Sequence, residues 1–189
     1  MCVLKRVKTH RKCCVSNKKM SRDYFLKSNR IGFSKWNKND LDLAILLWGN
    51  KQVSKYICAS GIFFIDDIKN RLALEINNEN KYGVQYWPIF DLSNDKFMGC
   101  CGLRPHDSEL EIGIHLLPEY WHLGYGSEAC KALIDYSFKV LKVNKLFAGH
   151  NPNNINSKKL LNSLGFKYIG DEYYEPTGLM HPSYELTYE

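Results

Sequence analysis

Residues 110–116 carry the most regular pattern in the chain, with an apolar side chain at every second position. A period of two predicts a strand with one buried face, and Pro118 would end it. Upstream, the apolar runs Tyr82–Leu92 and Phe97–Leu103 flank the turn-forming sequence Ser-Asn-Asp. Two apolar runs joined by a short polar turn predict an antiparallel hairpin.

Apolar residues spaced three and four apart predict helices. Asn39 or Asp40 would cap the first helix, and Gly49 would end it. A second helix is predicted over Asp66–Ile76, and a third follows a loop over Glu119–Gly126. The apolar stripes of these helices are Leu43, Leu46 and Leu47 in the first, Ile65, Ile68, Leu72 and Ile76 in the second, and Ala129, Leu133, Tyr136 and Val140 in the third.

Further strands are predicted over Arg30–Trp36, Lys145–His150, Phe166–Tyr173 and Ser183–Tyr188. A last short helix over Ser157–Leu164 would end at Gly165, because glycine is favoured just after a helix. The resulting order is β-α-α-β-β-β-α-β-α-β-β. It predicts a mixed sheet covered by helices, in the α/β or α+β class.

The chain has 189 residues, of which 44% are apolar and 24% charged, as in an ordinary globular protein. This length suits a single domain, which we place at residues 21–189. The longest apolar stretch, Leu43–Trp48, is far shorter than the ~20 residues that cross a bilayer. The basic N-terminus has no apolar segment behind it of the kind that secretory signals carry. We therefore expect a cytoplasmic protein with no membrane partner.

Basic side chains are concentrated at the N-terminus, where residues 1–20 contain seven Lys or Arg and no acidic residue. The other 169 residues hold 19 basic and 20 acidic side chains, so the formal charge of +6 belongs to this tail. We predict a disordered basic extension that could contact RNA or the ribosome, anionic lipid or an acidic protein surface. Translation from Met20 would instead remove the tail.

Seven cysteines are divided between the tail and the body of the chain, and their odd number and adjacent pairs argue against a disulfide framework. The body cysteines lie in apolar runs, which predicts free buried thiols in a reducing compartment. In the tail, His10 with Cys13 and Cys14 resembles half of a metal site, but no second half follows. We therefore predict no bound metal.

The stretch Leu110–Ala129 ends its strand in a loop that holds Gly124 and Gly126 directly before a helix. Glycine permits positive φ and close backbone approach, and the exposed N–H groups of a first helical turn attract anions. No lysine follows these glycines and no G-x-G-x-x-G occurs, which argues against a P-loop nucleotide or a Rossmann dinucleotide. The loop therefore predicts a phosphate-bearing ligand of another kind, with a purely structural helix start as the alternative.

In this context, residues 121–126, WHLGYG, resemble the phosphate loop R/Q-x-x-G-x-G/A of the GNAT superfamily of acyl-CoA-dependent N-acetyltransferases. The fuller pattern P-x-Y-W-x-x-G-Y-G-S-E-A is similar to the Rim-type branch, which acetylates the N-termini of ribosomal proteins and related amines. Trp121 replaces the usual Arg or Gln, which removes one side-chain contact and leaves the backbone cradle.

Other blocks resemble the family in order and spacing: Tyr86–Ile89, Phe97–Leu103, Asn154–Ser157 and Leu164–Phe166. The resemblance covers about residues 25–189. It implies the GNAT fold, in which a central, mixed and mostly antiparallel sheet is flanked by helices.

The resemblance implies acetyl-CoA as the co-substrate and assigns backbone groups to it. The backbone at Leu116 and Leu117 would run beside the pantetheine arm, where one N–H group would polarise the thioester carbonyl. Asn154 would hydrogen-bond the pantetheine. The amides expected to bind the pyrophosphate are those of His122, Leu123, Gly124, Tyr125, Gly126 and Ser127.

Attack on a thioester requires a neutral amine, whereas a lysine-like amine is mostly protonated at pH 7. Glu111 lies on the polar face of the strand before the loop and matches an acidic position of the family, so it is the predicted base. A solvated or structurally paired Glu111 is the alternative. Many relatives protonate the leaving thiolate with a tyrosine, but Leu161 stands at that position. Ser157 is the predicted acid, unless water serves or no acid is needed.

Three histidines are weighed beside Glu111. His115 lies ~13 Å further along the same strand face, so both residues cannot easily serve one proton. His181 is an alternative base near the acceptor groove, or simply a loop residue. His150 is expected in the core, and Tyr86 and Trp87 in the core or the groove wall.

The sequence thus predicts an N-acetyltransferase, either monomer or homodimer, in which a primary amine attacks acetyl-CoA directly in a ternary complex. No cysteine stands where the family would need a covalent nucleophile. The acceptor would be a protein N-terminus or a small-molecule amine. A non-catalytic acyl-CoA-binding regulatory module is the alternative, which Leu161 favours. An RNA- or ribosome-associated protein working through its tail is the third.

Overall fold

Eight strands form one sheet in the computed structural model, which describes residues 22–188. They are β1 (Leu26–Lys27), β2 (Ile31–Phe33), β3 (Tyr86–Asp91), β4 (Lys96–His106), β5 (Glu109–Leu116), β6 (Lys145–Gly149), β7 (Lys167–Tyr174) and β8 (Leu179–Thr187). Their order is β1-β2-β3-β4-β5-β6-β8-β7, and β5 with β6 is the one parallel pair among these eight strands. The predicted mixed, mostly antiparallel sheet is therefore confirmed.

Five helices lie on the two faces of this sheet, within the described part of the chain. They are α1 (Leu41–Trp48), α2 (Lys51–Ser54), α3 (Ile65–Tyr82), α4 (Tyr125–Lys139) and α5 (Ile155–Ser163). Within residues 22–188, none of them combines the length and apolarity needed to span a membrane. The basic tail predicted over residues 1–20, with its cysteines and His10, lies outside the described residues.

The sheet separates two apolar cores. Trp87, Leu103 and Ile112 point to the side that α4 and α5 cover, where Leu133 and Leu161 meet them. The opposite face packs on α1 and α3; its buried members include Trp48, Leu72, Tyr86, Phe90 and Cys100. Burial of these side chains supplies the main driving force that holds the helices on the sheet. Glu111 and His115 lie on the second face, between the sheet and the first three helices.

The strand predicted over Arg30–Trp36 corresponds to β2, which ends earlier, at Phe33. Ser34 still donates its N–H to the carbonyl of Pro88 at 3.0 Å, but Pro88 has no N–H to return a bond. After Ser34, hydrogen bonds that involve side chains replace the backbone hydrogen bonds of the strand pair. The N–H of Trp36 bonds the side chain of Gln85 at 2.8 Å, and its indole bonds the carbonyl of Tyr86 at 2.6 Å.

The second predicted helix, Asp66–Ile76, is longer in the structure and runs over Ile65–Tyr82. Its buried stripe continues through the polar residues Glu75 and Asn78, which an apolar pattern cannot reveal. The helix ends at Gly83, whose φ of 71° favours glycine. The strand predicted from Tyr82 therefore begins only at Tyr86.

Other predictions were wrong in detail. Leu46 and Val140, assigned to apolar stripes, are 52% and 60% exposed. The first helix buries Ala44, Leu47 and Trp48 instead of Leu46, and Val140 lies beyond the last residue of α4. The short helix α2 was not foreseen. Of the described cysteines, Cys58 is only half-buried, whereas Cys100, Cys101 and Cys130 are buried, and none of the four forms a disulfide.

The C-terminal strand begins at Leu179 instead of Ser183 because it pairs along its length with β7. His181 consequently lies inside a strand, buried and paired in register with Glu172, and not in a loop. The helix predicted over Ser157–Leu164 begins two residues earlier, at Ile155, because Asn154 caps it, and it ends one residue earlier, at Ser163.

Candidate active site

A cavity of about 800 Å³ opens where β5 and β6 diverge. The two strands pair only through Leu110 with Leu146 and Glu111 with Phe147. Beyond this point β5 stays with β4 and β6 stays with β8, so the middle of the sheet opens into a wedge. The predicted site residues that line it are Glu111, Leu116, His122, Gly124, Gly126, Ser127, Asn154 and Ser157. Divergence of the only parallel pair among the described strands thus creates the site.

The glycine loop presents the start of α4 to this cavity. Gly124 is the N-cap residue with φ 81°, in the left-handed region that favours glycine, and no side chain caps the helix. The first-turn N–H groups at Gly126 and Ser127 therefore remain available to a ligand. A 15-residue helix with an uncapped N-terminus that faces a cavity fits a pyrophosphate.

An ion pair holds this loop from its outer side. Glu128 accepts hydrogen bonds from the backbone N–H and the Nε of Arg30 and from the hydroxyl of Ser28, each at 2.7 Å. Although burial opposes ionisation, the bonds from Ser28 and Arg30 lower the pKa of Glu128. The Arg30 guanidinium also stacks on Tyr125 at 4.0 Å and lies 3.4 Å from the carbonyl of Leu123. The side chains of Leu123 and Tyr125 therefore belong to the outer wall and do not line the cavity.

The end of β5 offers one backbone donor to the cavity. Leu117 already donates its N–H to the carbonyl of Met98 at 2.9 Å. Because N–H groups alternate in direction along a strand, the N–H of Leu116 points the other way, toward the gap between β5 and β6. Of the two predicted donors, Leu116 is thus the one in position to polarise a carbonyl. The indole of Trp121 fixes this strand end by donating to the Leu116 carbonyl at 2.8 Å.

The opposite wall is the start of α5. Asn154 accepts the N–H of Ser157 on its Oδ1 at 3.2 Å, so its side chain caps the helix and only its amide N–H₂ is left for a ligand. The hydroxyl of Ser157 lines the cavity. Leu161, one turn further on, lines the same wall and is mostly buried in the core. Among the described residues of α5, Ser157 is the one whose hydroxyl lines the cavity.

Glu111 lies deep in the wedge. The Tyr86 hydroxyl donates to its Oε1 at 3.3 Å, and Arg104 is its register partner on β4. Burial raises the pKa of Glu111, while Arg104 acts against the rise. Gly113 makes this contact possible, because a Cβ at this position would overlap the Tyr86 ring. A half-buried carboxylate with a raised pKa suits a proton acceptor.

The histidines are less suited to that role. The indole of Trp48 donates to Nδ1 of His115 at 3.3 Å, which assigns the ring proton to Nε2, and burial lowers the pKa of His115 well below its usual value. Nε2 of His181 lies 2.8 Å from the Thr177 hydroxyl, and burial lowers its pKa as well. His115 therefore stays neutral, with no free lone pair toward the cavity.

His150 is a core residue, as predicted. Its Nδ1 donates to the carbonyl of Asn151 at 2.8 Å, and its Nε2 accepts from the Tyr184 hydroxyl at 3.3 Å. Both ring nitrogens are therefore occupied by structural bonds.

A buried charged group beside Glu111 was missed from the sequence. It consists of Arg71 and Glu75 on α3 and Arg104 on β4. The signal that could have revealed it is Glu75 itself, a charged residue that falls on the buried stripe of its helix. Within residues 22–188, no three His, Cys, Asp or Glu side chains converge as a metal site requires.

The comparisons with known proteins agree with this geometry. The model of the acetyltransferase (GNAT) domain matches residues 30–167. A Bacillus licheniformis protein, the uncharacterized N-acetyltransferase p20, is 32% identical over 149 residues, which are 77% of this chain and 83% of the relative.

Two solved structures share the fold. The ribosomal-protein-S5-alanine acetyltransferase from Vibrio fischeri matches with a TM-score of 0.68 and 20% identity, over 85% of this chain and 94% of that one. The spermidine N-acetyltransferase from Vibrio cholerae, in complex with CoA and spermine, gives 0.69 and 16%, over 84% and 95%. The family match, the p20 relative and the wedge with its glycine-started helix agree, and the chain belongs to the GNAT acetyltransferase family.

Proposed function

We propose that this chain is an N-acetyltransferase that moves the acetyl group of acetyl-CoA to a primary amine by direct attack in a ternary complex. One observation carries the proposal. A single cavity joins an uncapped helix N-terminus, which suits phosphates, to a half-buried carboxylate with a raised pKa, which suits an amine proton. The helix N-terminus would bind the co-substrate, and the carboxylate would act on the acceptor amine.

Acetyl-CoA would supply an activated acetyl thioester. The amides of Gly126 and Ser127 would bind its pyrophosphate, and the amide N–H₂ of Asn154 would bind its pantetheine. The N–H of Leu116 would donate to the thioester carbonyl oxygen, where negative charge develops as the amine attacks. Trp121 keeps that N–H in place through its bond to the Leu116 carbonyl.

Glu111 would take the proton that the ammonium must lose before its nitrogen can attack. The Tyr86 hydroxyl orients the carboxylate for this transfer. The amine nitrogen would then form a bond to the acetyl carbon as the carbon–sulfur bond breaks, and Ser157 would protonate the leaving thiolate. The second proton released by the nitrogen would replace the one that Ser157 gives up, directly or through water. Cys100 is not a competing nucleophile, because burial raises its pKa to about 12 and keeps the thiol neutral.

The alternative is a regulatory module that binds acyl-CoA without catalysis. The hydrophobic Leu161, at the position of the acid in many relatives, favours it. Glu111 favours the enzyme, because a module that only binds has no use for a carboxylate with a raised pKa in the cavity. We also propose that the protein is cytoplasmic and that it is a monomer or a homodimer.

The test is an acetylation assay on a panel of N-terminal peptides, polyamines, amino acids and other small amines, with mass spectrometry of the products. An N-acetylated product that disappears in Glu111→Gln, while CoA affinity stays, supports the enzyme. Saturable CoA binding with no product from any amine in the panel supports the regulatory module. The same assay on residues 21–189 tests whether the basic tail matters.

A further inference from the structure

Two arginines line the part of the cavity beside Glu111. Arg71 comes from α3 and Arg104 from β4, and their side chains are only 12% and 15% exposed. Neither Nε atom has a hydrogen-bond partner within residues 22–188, although both atoms are shielded from solvent. Buried charged donors without acceptors are costly, so this arrangement calls for an acceptor that the chain itself does not provide.

Glu75 is the carboxylate that contacts these two cations directly, and Glu111 balances the second charge from the same cavity. Glu75 is fully buried and accepts hydrogen bonds from Arg104 and, at 2.9 Å, from the backbone N–H of Tyr86. Its distance to the Nε of Arg71 is 3.6 Å, longer than a hydrogen bond. Burial, and then the positive charge of Arg104, lower the pKa of Arg71. Glu75 therefore hydrogen-bonds Arg104 and pairs with Arg71 only at longer range, so Arg71 has no hydrogen-bonded carboxylate within residues 22–188.

The charge balance changes when Glu111 works as the base. Once it has taken a proton from the amine, Glu111 is neutral. The part of the cavity beside Glu111 then holds two guanidinium groups and one ionised carboxylate, that of Glu75. This leaves an excess of one positive charge. An acceptor with one negative group would cancel this excess, whereas a polyamine would add to it.

Each of the two guanidinium groups lies over an aromatic ring, and this contact helps to fix where an anion would bind. Arg104 lies 4.1 Å from the ring centre of Tyr86, and Arg71 lies 5.4 Å from that of Trp48. Arg104 and Glu111 are direct register partners, and such pairs have Cα atoms ~5.5 Å apart or closer. An anion on the arginines therefore leaves the rest of a compact molecule within reach of Glu111.

We propose that the acetyl acceptor is a compact primary amine that carries its own anionic group, a carboxylate or a phosphonate, which Arg71 and Arg104 bind while Glu111 receives the amine proton. This inference rests on the proposed N-acetyltransferase function. α-Amino acids and aminoalkyl phosphonates have this chemistry. Polyamines lack the anion, and a peptide N-terminus has an uncharged amide where the amino acid has its carboxylate.

Matched pairs of amines test the proposal. We would measure kcat/KM for L-phenylalanine against L-phenylalaninamide, L-methionine against L-methioninamide, and 2-aminoethylphosphonate against ethylamine, with spermidine as the polycation. The wild type should prefer the anionic member by ~10- to 100-fold, as expected for charged hydrogen bonds. The amino group of an amino-acid amide has a lower pKa than that of the free amino acid, so more of it is unprotonated at neutral pH. This difference favours the amides and therefore acts against the expected result.

Arg71→Gln should reduce the preference to within ~3-fold, and Arg71→Lys should restore part of it. Lys69→Gln is the matched control, because Lys69 is an exposed cation on the same helix, paired with Asp66 at 3.0 Å. It should keep the full preference. Melting temperature and CoA affinity establish that each variant is folded. Equal losses in the Arg71 and Lys69 variants would overturn the anion site.

Binding measurements separate this proposal from the one on which it rests. Calorimetry in the presence of CoA should show tighter binding of L-phenylalanine than of its amide. If both forms bind or react equally, or spermidine is preferred, the anion site is wrong and the N-acetyltransferase stands. If the acid binds preferentially but no amine is acetylated, the anion site stands and the catalytic proposal is wrong.

Discussion

The hydroxyl of Tyr86 donates a 3.3 Å hydrogen bond to the carboxylate of Glu111, across two strands of the sheet. Tyr86 on β3 and Glu111 on β5 are separated by β4, whose Gly102 pairs with both Tyr86 and Gly113. Because Gly113 has no side chain, the tyrosine ring can extend past β4 to Glu111, whereas a Cβ on Gly102 would meet the backbone of Gln85 and Tyr86. The candidate base is thus oriented by a residue from a strand that does not touch its own.

Glu111→Gln should lower kcat/KM by ~10²- to 10⁴-fold near neutral pH, the usual span for a general base. The amide keeps the volume of the side chain, so CoA affinity should change little. The loss should shrink as the pH approaches the pKa of the amine, because free amine then forms without help. A pH–rate profile of both proteins on one acceptor measures this, and full activity of the variant at pH 7 would rule out the assignment.

The same substitution should change stability in a pH-dependent way. The pKa of Glu111 is higher in the folded protein than in the unfolded chain, so its contribution is complete at acidic pH, below the unfolded value near 4.3. That contribution is lost as the pH rises through the folded pKa, because ionisation then occurs in a buried site.

Glu111→Gln, which cannot ionise, should therefore melt above the wild type at pH 7 and show no such gain at pH 4. A difference of 1 kcal/mol would appear as ~2–4 °C in Tm for a chain of this size, which scanning calorimetry resolves. A variant that is less stable than the wild type at both pH values would indicate a structural Glu111.

Gly124→Glu should abolish CoA binding while the fold persists. A Cβ at this position would meet only Arg30, at 3.6 Å, but the charge of the glutamate would oppose the pyrophosphate. Gly83→Glu is the matched control: its φ of 71° imposes a similar backbone cost, and its Cβ would have open space away from the cavity.

In this pair of variants, acetyl-CoA at one hundred times its Kd should stabilise the wild type and Gly83→Glu by ~2.7 kcal/mol and leave Gly124→Glu unchanged. Thermal melts with and without millimolar acetyl-CoA measure the difference. If acetyl-CoA still stabilises Gly124→Glu, the pyrophosphate does not bind at this loop.

Ser157→Ala should lower kcat by ~10-fold or more with acetyl-CoA if the hydroxyl protonates the thiolate. The loss should disappear with an acetyl thioester of a more acidic thiol, because a stable thiolate leaves without a proton. Ser163→Ala is the control on the same helix, where the exposed hydroxyl only bonds the Leu160 carbonyl. Equal rates for Ser157→Ala and wild type on acetyl-CoA would transfer the role to water.

Features carried by neighbouring residues were predictable from the sequence, and features assembled across the chain were not. The glycine loop, the strand before it and Glu111 all lie within residues 109–126, so their pattern was visible. Arg104 and Glu75 are 29 residues apart and meet only because α3 packs on β4. Pro88 likewise ends β2 from another strand, an effect that the local sequence of β2 does not contain.

The bond between Trp121 and the Leu116 carbonyl gives the protein a built-in optical probe. All four tryptophans lie within residues 22–188, and Trp36, Trp48 and Trp87 are buried, whereas Trp121 borders the cavity. Its indole N–H is held at the junction of the phosphate loop and the end of β5. A ligand that enters the wedge must alter the polarity around this ring, so emission from the unmodified chain can follow occupancy in a stopped-flow instrument without any label.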